Sequence, residues 1–382
     1  MQVPVSLALG AGNLRIGSTE LHLYEAVSLI YDDNIFLTDG NFNRKVSDTI
    51  TVFSPGVEIK RDKNNNMMFL NYRADILNYQ NNPKESREDH NVRFFSDSRF
   101  GGGLLLRFQY DYLDTADPAS SELTTIDERT QNTLALTAGA VFKDNMTFKL
   151  NFRDTKHDYD KSSRSSLDRN KQLIGSEISF SFLPKTYFFV EYGKTTIEYD
   201  TVVNNDIKNS GADSYYLGVR GTLTPKSFLN VRLGYSNKKY DQQGKKGFSG
   251  TVIDLSLANE YSEFTRITVS GHRELVESFY LNNNFYVENR INCAFEYVFN
   301  HKLSSQFNGF YAVNEYNMSS VDFDGSSKKR ADNMTGVGID IIYNIQPWLS
   351  AVIKYTLKER DSNFNAEDYN DNQLIFTVKA EI

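Results

Sequence analysis

Residues 146–153 have the sequence MTFKLNFR, in which every second side chain is apolar. Met146, Phe148, Leu150 and Phe152 fall on one face, and the polar side chains between them fall on the other. Successive side chains of a β-strand point to opposite faces, so this alternation predicts a strand with one apolar face and one wet face.

The same period of two recurs in residues 229–238, 349–358 and 373–382, whereas helical periodicity is nearly absent. The chain of 382 residues contains no run of about 18 consecutive apolar residues, which excludes a transmembrane helix. We predict about 18 strands, with roughly 16 to 20 compatible, each near the length that a tilted strand needs to cross a bilayer. The predicted strands start near residues 20, 48, 67, 89, 104, 129, 146, 170, 186, 213, 227, 249, 265, 286, 302, 331, 348 and 370.

The connections between these strands alternate in length. Short turns at one rim and long loops at the other are typical of outer-membrane barrels, with turns periplasmic and loops extracellular. The fold class predicted is therefore all-β, a transmembrane antiparallel up-and-down β-barrel. A soluble sandwich or solenoid explains neither the two loop classes nor strands of this length, and the sequence has no fixed short repeat. The tight links lie near residues 101–103, 143–145, 184–185, 225–226, 262–263, 300–301 and 346–347, and the long ones are 32–47, 81–88, 114–127, 160–168, 201–212, 317–329 and 361–369.

The composition agrees with strands that have one apolar face and excludes other classes. There are 27 Phe and 23 Tyr against one Trp, yet the mean hydropathy is −0.50. A net charge of −7 lacks the basic surplus of nucleic-acid-binding proteins, so no nucleic-acid partner is expected. The single cysteine, Cys293, excludes an intramolecular disulfide framework and a multi-cysteine metal site.

Motifs for catalysis are missing from the sequence. The five histidines are widely spaced and show no paired zinc-ligand spacing, and there is no nucleophile elbow, phosphate-binding loop or dinucleotide fingerprint. His272 and Glu274 share a face and form a candidate acid–base pair, although a polar pair lining a pore is the favoured interpretation. We expect no enzymatic activity, no catalytic residues and no cofactor.

Two acidic stretches resemble parts of calcium loops. Residues 361–372 begin like an EF-hand, but Ala366 stands where the glycine is needed and Asn372 where the bidentate glutamate belongs. Residues 322–325 match only in part. Both are interpreted as solvated loops, so no metal site is predicted.

The stretch SLIYDDNIFLTDG, residues 28–40, raises a further question. Its acidic centre, residues 32–34, suits a metal loop, a catalytic carboxylate pair or a strand end. Barrel topology favours the strand end, because Asp and Asn side chains cap local turns. Ile35 and Phe36 then need cover, which predicts that loop 32–47 folds against the barrel wall or into its mouth.

Charged side chains of both signs, with a basic excess, are predicted on the inner face. They face water in any wide barrel; alternatively, their guanidinium groups contact an anionic or polyhydroxylated solute, since arginine matches carboxylates and hydroxyl pairs. No separate plug domain is visible, so a constriction has to come from loops such as 32–47 or 114–127, or from a partner. The predicted pore-lining residues are Arg73, Arg93, Arg99, Arg107, Lys149, Arg153, Arg220, Arg232, Arg266, Arg290, Lys354 and Lys358.

Residues 14–60 carry a family resemblance. Their elements are Leu14–Gly17, the strand end at residues 31–36, Ser47-Asp48, and Ser54-Pro55-Gly56. In these elements the chain resembles the putative β-barrel porin type 2 proteins, outer-membrane barrels often associated with exopolysaccharide biosynthesis and export. The final residue, Ile382, departs from the aromatic residue with which outer-membrane barrels usually end.

The resemblance implies a conduit that exports a secreted exopolysaccharide across the outer membrane of a Gram-negative bacterium, supplied by a periplasmic export partner. The same architecture also suits a general or solute-specific diffusion porin for small molecules. Lipid and lipopolysaccharide are the expected surroundings. Residues 1–18 are predicted to be a periplasmic segment that begins after signal-peptide removal, and residues 19–382 a single barrel domain.

Overall fold

The computed structural model describes residues 14–40, 44–118, 121–122, 124–143, 145–202, 206–279, 283–322 and 325–382. Most of the predicted N-terminal segment, residues 1–13, lies outside these ranges, as do Asp144 of one predicted turn and Asp324 of one acidic stretch. Among the residues described, no helix is long and apolar enough to span a bilayer.

The strands form one antiparallel sheet that closes on itself. Each strand from β2 onward pairs with its neighbours in the chain, and the last strand pairs with β2, placing Gln373 opposite Asp32 and Glu381 opposite Tyr24. The short β1 forms a hairpin on the start of β2. The structure is therefore a closed 18-stranded up-and-down barrel, which confirms the predicted fold class. The strands are β1 Leu14–Ile16, β2 Thr19–Asp32, β3 Asp48–Lys63, β4 Asn66–Tyr79, β5 Arg87–Arg99, β6 Leu104–Thr115, β7 Arg129–Phe142, β8 Met146–Tyr159, β9 Arg169–Leu183, β10 Thr186–Tyr199, β11 Ser210–Thr224, β12 Ser227–Tyr240, β13 Phe248–Ser262, β14 Thr265–Glu277, β15 Phe285–Val298, β16 Leu303–Val321, β17 Ser327–Gln346, β18 Leu349–Ser362 and β19 Tyr369–Glu381.

One predicted loop is wrong in its extent. Residues 317–329 were expected to connect two strands, but β16 runs to Val321 and β17 starts at Ser327. The register shifts between Glu315 and Ser319, and the two strands then continue to pair. The polar residues of this segment favour a loop in the sequence. They can nevertheless pair as strands beyond the hydrocarbon region of the membrane, because backbone groups and not side chains make the hydrogen bonds between strands.

The two rims differ as the sequence predicts. At the turn end, β3 and β4 are joined by Asn64 and Asn65, whose φ angles of 51° and 65° suit a tight hairpin. Gly102 and Gly103, with φ of 80° and 82°, form the turn before β6. The barrel strands β2 and β19 also begin and end at this rim, while the longer connections all lie at the opposite rim, the loop end.

The outer face carries the apolar side chains. Leu150, Ile174 and Leu217 point outward and are 52%, 62% and 53% exposed in the isolated chain. So many exposed large apolar residues on one continuous face need lipid as their solvent. The inner face therefore carries most of the charged residues of the barrel wall, and the outer face carries a few, such as Lys194 and Lys239.

The mouth of the barrel contains a small apolar core. Ile35 is buried and packs with Ile50, Val52 and Tyr79, while Phe36 covers the cluster in part. Ile50, Val52 and Tyr79 lie on the inner faces of β3 and β4. The loop after β2 thus folds inward over the wall, as predicted, because its two large apolar side chains find cover only there.

Candidate functional site: a loop across the lumen

The connection between β6 and β7, here called the crossing loop (residues 116–128), reaches the opposite wall. The Ser121 carbonyl accepts a hydrogen bond of 2.7 Å from Nη1 of Arg360 on β18. The Ser121 hydroxyl accepts one of 3.0 Å from Nδ2 of Asn314 on β16. Since β16 lies half-way around the barrel from β7, the described tip residues lie across the lumen. The prediction that a loop such as 114–127 folds inward is confirmed for these residues.

The second tip residue, Glu122, fixes the loop to the end of β14. Its carboxylate accepts hydrogen bonds from the Ser278 hydroxyl at 2.6 Å and the Phe279 amide at 2.8 Å. The residue is only 4% exposed. Burial raises the pKa of Glu122, and the hydrogen bonds and the charges of Arg330 and Lys208 offset that rise only in part.

The base of the crossing loop is held by charges of its own wall. Asp127 accepts from Lys161 Nζ at 3.1 Å and pairs with Arg164 Nε at 3.0 Å. Burial alone raises the pKa of Asp127, but the Thr125 hydrogen bond and these two cations outweigh it and hold the pKa below its usual value. On the other side of the base, Asp117 lies 2.8 Å from Arg87 Nη2.

The far wall presents a buried ionic cluster to the tip, here called the tether cluster: Arg330, Asp332, Arg360 and Glu367. Arg330 forms a bidentate pair with Asp332, with two contacts of 2.8 Å, and lies 3.2 Å from the Glu367 carboxylate. Arg360, whose side chain is 1% exposed, lies 3.3 Å from the same carboxylate. A buried guanidinium held in this way is fixed in orientation, so its remaining N–H is directed at Ser121.

The titration of Glu122 gives a testable pH dependence. A raised carboxyl pKa means that the docked tip binds a proton more tightly than the free tip, so docking is strongest at low pH and weakens as the pH rises from the ordinary value of 4.5 through the raised value. Asp127, with its lowered pKa, stays charged over this range. We expect single-channel conductance to fall by about twofold as the pH is lowered through the raised pKa of Glu122 towards 4.5, because the tip docks more firmly.

Planar-bilayer recordings across this pH range check the expectation. Glu122→Gln mimics the protonated form and is expected to show low conductance at both ends with little pH dependence. Glu128→Gln is the matched control, because Glu128 lies in the same loop and is exposed. Equal pH dependence in both variants would contradict the assignment to Glu122.

A second feature of the lumen is an excess of cations on β8, β9, β11 and β12. The strand registers place these side chains on one inner surface, here called the basic wall. Glu177 bridges Lys149 and Arg220, at 2.8 Å from each, and Glu191 pairs with Arg232 at 2.9 Å. Lys238 pairs with Glu277 at the end of β14. The seven cations still outnumber these three carboxylates, so the wall carries net positive charge. Its basic residues are Lys149, Arg153, Arg169, Lys171, Arg220, Arg232 and Lys238.

The twelve residues predicted from alternation all share the inner face by register. Four of them belong to the basic wall, while Arg93 and Arg107 pair with Asp111 and Asp97 on the wall formed by β5 and β6. Arg99 lies apart, at the turn-end rim. Their role in lining a pathway for solute stays a prediction. Arg169, Lys171 and Lys238 of the basic wall are not among the twelve, although the alternation of β9 and β12 contained the signal.

Aromatic rings support two of these arginines. The guanidinium carbons of Arg232 and Arg290 lie 3.7 Å and 3.8 Å from the ring centres of Tyr216 and Phe310. Stacking of this kind leaves the guanidinium edge open to a ligand.

His272 has a different main partner from the one that the sequence suggested. Its Nε2 lies 2.8 Å from Glu288 on the adjacent strand and 3.5 Å from Glu274. The register places Arg290 opposite His272 and Glu288 opposite Glu274, so Glu288 is the diagonal neighbour of His272, within reach of a long side chain. His272, Glu274 and Glu288 lie together on the inner wall, and none of the three is a serine or cysteine nucleophile.

The acidic centre of residues 28–40 fastens the seam between the first and last barrel strands. β2 ends at Asp32, as predicted for a strand end. Beyond it, Asp33 accepts from the amide and Nδ2 of Asn372 at 2.8 and 2.7 Å, and Asn34 donates to the Asn370 carbonyl at 2.8 Å. These side chains continue the β2–β19 contact after the strand pairing stops. The sequence could not identify the partners, which lie more than three hundred residues away.

The two acidic stretches interpreted as solvated loops differ in what the structure describes. Asn363 accepts from the Ala331 amide at 2.9 Å and donates to the Lys329 carbonyl at 2.8 Å, so its side chain joins β17 to the loop after β18. In the other stretch, Asp322 pairs with Lys328 at 2.9 Å. The side chains of Asn363 and Asp322 therefore both contact neighbouring protein groups.

A sequence model of the family described as "Putative beta-barrel porin 2" matches residues 18–382. The chain belongs to this family. No curated protein matches the chain. Among solved structures, Pseudomonas aeruginosa OpdQ is similar at a TM-score of 0.51 and 11% identity, over 96% of this chain and 100% of that one. Acinetobacter baumannii OccAB3 gives 0.50 and 10%, over 96% and 100%, and the P. aeruginosa outer membrane protein OpdK gives 0.50 and 11%, over 95% and 99%. The family match and the closed 18-stranded barrel identify the protein as an outer-membrane β-barrel channel, referred to below as the porin.

Proposed function

We propose that this porin is a diffusion channel for small anionic solutes. The observation that carries the proposal is the crossing loop, whose tip is bound to the far wall by Arg360, Asn314 and Ser278. A loop tied across the lumen leaves openings at its sides that suit small solutes. A polysaccharide chain needs a continuous and wider path, so the crossing loop argues against the export function that the family resemblance implied.

The basic wall supports the choice of an anionic solute. Its free cations attract a carboxylate, while Glu177 and Glu191 keep the other arginines extended and partly neutralised. Weak attraction at several successive sites allows a solute both to enter and to leave, as conduction requires. The similarity to OpdQ, OccAB3 and OpdK supports the porin fold on which this proposal rests, and it does not identify the solute.

Liposome swelling tests the proposal directly. We expect vesicles that contain the porin to admit small organic anions such as gluconate faster than a neutral sugar of the same size, and to exclude dextran. In cells, deletion of the gene should slow uptake of small anions and leave surface polysaccharide unchanged. Loss of surface polysaccharide with unchanged uptake of small anions would instead support export.

A further inference from the structure

Three carboxylates meet at the loop end of the seam between β2 and β19. One carboxylate oxygen from each of Asp32, Asp33 and Asp371 lies within 4.8 Å of the others. Asp32 and Asp371 are 6% and 1% exposed, so two of the three negative charges are removed from bulk water. Like charges this close repel strongly in a site of low dielectric unless a positive charge lies between them.

The hydrogen bonds around the site leave one carboxylate without donors. Asp32 accepts from the Asn34 amide and from Nε2 of Gln373, both at 2.8 Å, and Asp33 accepts twice from Asn372. Neither oxygen of Asp371 accepts a hydrogen bond from any donor among the described residues. Burial of an ionised carboxylate that has no donor is unfavourable, and this side chain faces Asp32.

Lysine side chains near the cluster balance its charge only in part. Lys358 lies opposite Asp371 in the β18–β19 register and its charge acts on that carboxylate, but the two form no ion pair within 4.0 Å in the described part of the chain. Lys45 is occupied by Asn370. Three carboxylates supply the oxygen ligands that Ca²⁺ prefers, and Ca²⁺ accepts flexible geometry, whereas Mg²⁺ demands a near-ideal octahedron. Oxygens that share one Ca²⁺ at about 2.3–2.6 Å lie up to about 5 Å apart, which agrees with the observed spacing.

We propose that Asp32, Asp33 and Asp371 bind one divalent cation, with Ca²⁺ preferred over Mg²⁺. The ion joins the last residue of β2 and the residue after it to the start of β19, at the point where the strand ladder between them has ended. It therefore closes the loop end of the seam at which the two ends of the barrel meet. The site is separate from the crossing loop and from the basic wall.

Calcium titration of the full-length porin, folded in detergent and stripped with EDTA, tests the site. We expect isothermal calorimetry to show Ca²⁺ binding that is weakened at least about tenfold in Asp371→Asn and in Asp32→Asn. Asp361→Asn is the matched control, because Asp361 is an exposed carboxylate at the same rim. Lipopolysaccharide carried through purification would bind Ca²⁺ equally in all preparations, so equal binding by wild type and Asp371→Asn overturns the proposal.

The unfolding temperature, measured by heat-modifiability on gels with EDTA or with Ca²⁺, distinguishes a calcium ligand from an aspartate with a purely structural role. In EDTA, Asp371→Asn is expected to unfold at a higher temperature than wild type, because it relieves the repulsion; with Ca²⁺, only wild type and Asp361→Asn are expected to gain stability. A wild-type protein that unfolds at the same temperature with and without Ca²⁺ also overturns the proposal, and indicates that Asp32 and Asp371 share a proton instead.

Discussion

Deletion of residues 118–126, with Asp117 and Asp127 joined by a short Gly-Ser link, is expected to raise single-channel conductance about two- to fivefold. The link can be short because Thr115 and Arg129 are directly paired at the base of the crossing loop. The deletion removes the tip that binds Arg360, Asn314 and Ser278, so the lumen is no longer divided by this loop. Larger solutes should then enter liposomes that the wild-type porin keeps them from entering.

A matched deletion separates this effect from general loosening of the loop end. Residues 242–246 lie in the loop between β12 and β13, where Lys245 pairs with Asp206 of the neighbouring loop. Their replacement by a Gly-Ser link should leave conductance near the wild-type value. If both deletions raise conductance equally, the crossing loop is not the constriction.

A point variant tests the tether itself. Arg360→Ala removes the hydrogen bond to the Ser121 carbonyl and leaves Glu367 paired with Arg330 at 3.2 Å. We therefore expect a folded barrel with a smaller rise in conductance than the deletion gives, and with more frequent fluctuations between levels.

The double substitution Arg153→Glu and Lys171→Glu is expected to reverse the ion selectivity of the channel. Both residues lie on the basic wall, on adjacent strands, and neither forms an ion pair with a carboxylate in the described part of the chain. The two substitutions therefore remove two positive charges from the lumen and add two negative ones, without leaving a buried carboxylate unpaired. Lumenal charge sets the local concentration of permeating ions, so selectivity follows its sign.

Reversal potentials in a KCl gradient measure this change. The wild-type porin should prefer chloride over potassium by about two- to fivefold, and the double variant should prefer potassium. Lys194→Glu with Lys239→Glu is the matched control, because it makes the same change in net charge on the outer face of the neighbouring strands. A selectivity that shifts equally in both double variants would show that net charge, and not the basic wall, controls permeation.

The inner-face arginines show what the sequence predicts and what it does not: it predicts the face on which each side chain lies, but not its partners. Alternation identified Arg153 and Arg220 as residues of the inner face, because a strand assigns faces by counting. It did not show that Arg220 shares Glu177 with Lys149, since these three residues come from three strands and their contact depends on the register. Register in turn depends on turn geometry and on burial of one face, which no single strand contains.

For the acidic centre of residues 28–40, too, the sequence predicted the position in the fold but not the partners. Its place at a strand end followed from local turn chemistry. Its partners, Asn370, Asp371 and Asn372, come from the last strand, and they meet it only because the barrel closes. Closure is a property of the whole sheet, so neither end of the chain predicts it alone.

The sequence by itself determined the all-β class, the approximate number of strands, the two classes of connection and the division into a mainly apolar outer and a charged inner face. All of these follow from periodicity and turn propensity, which act between residues close in the chain. Only the tertiary structure decided that Ser121 meets Arg360 across the lumen and that Asp32 meets Asp371 at the seam. Those contacts join residues hundreds of positions apart, and the closed barrel is what brings them together.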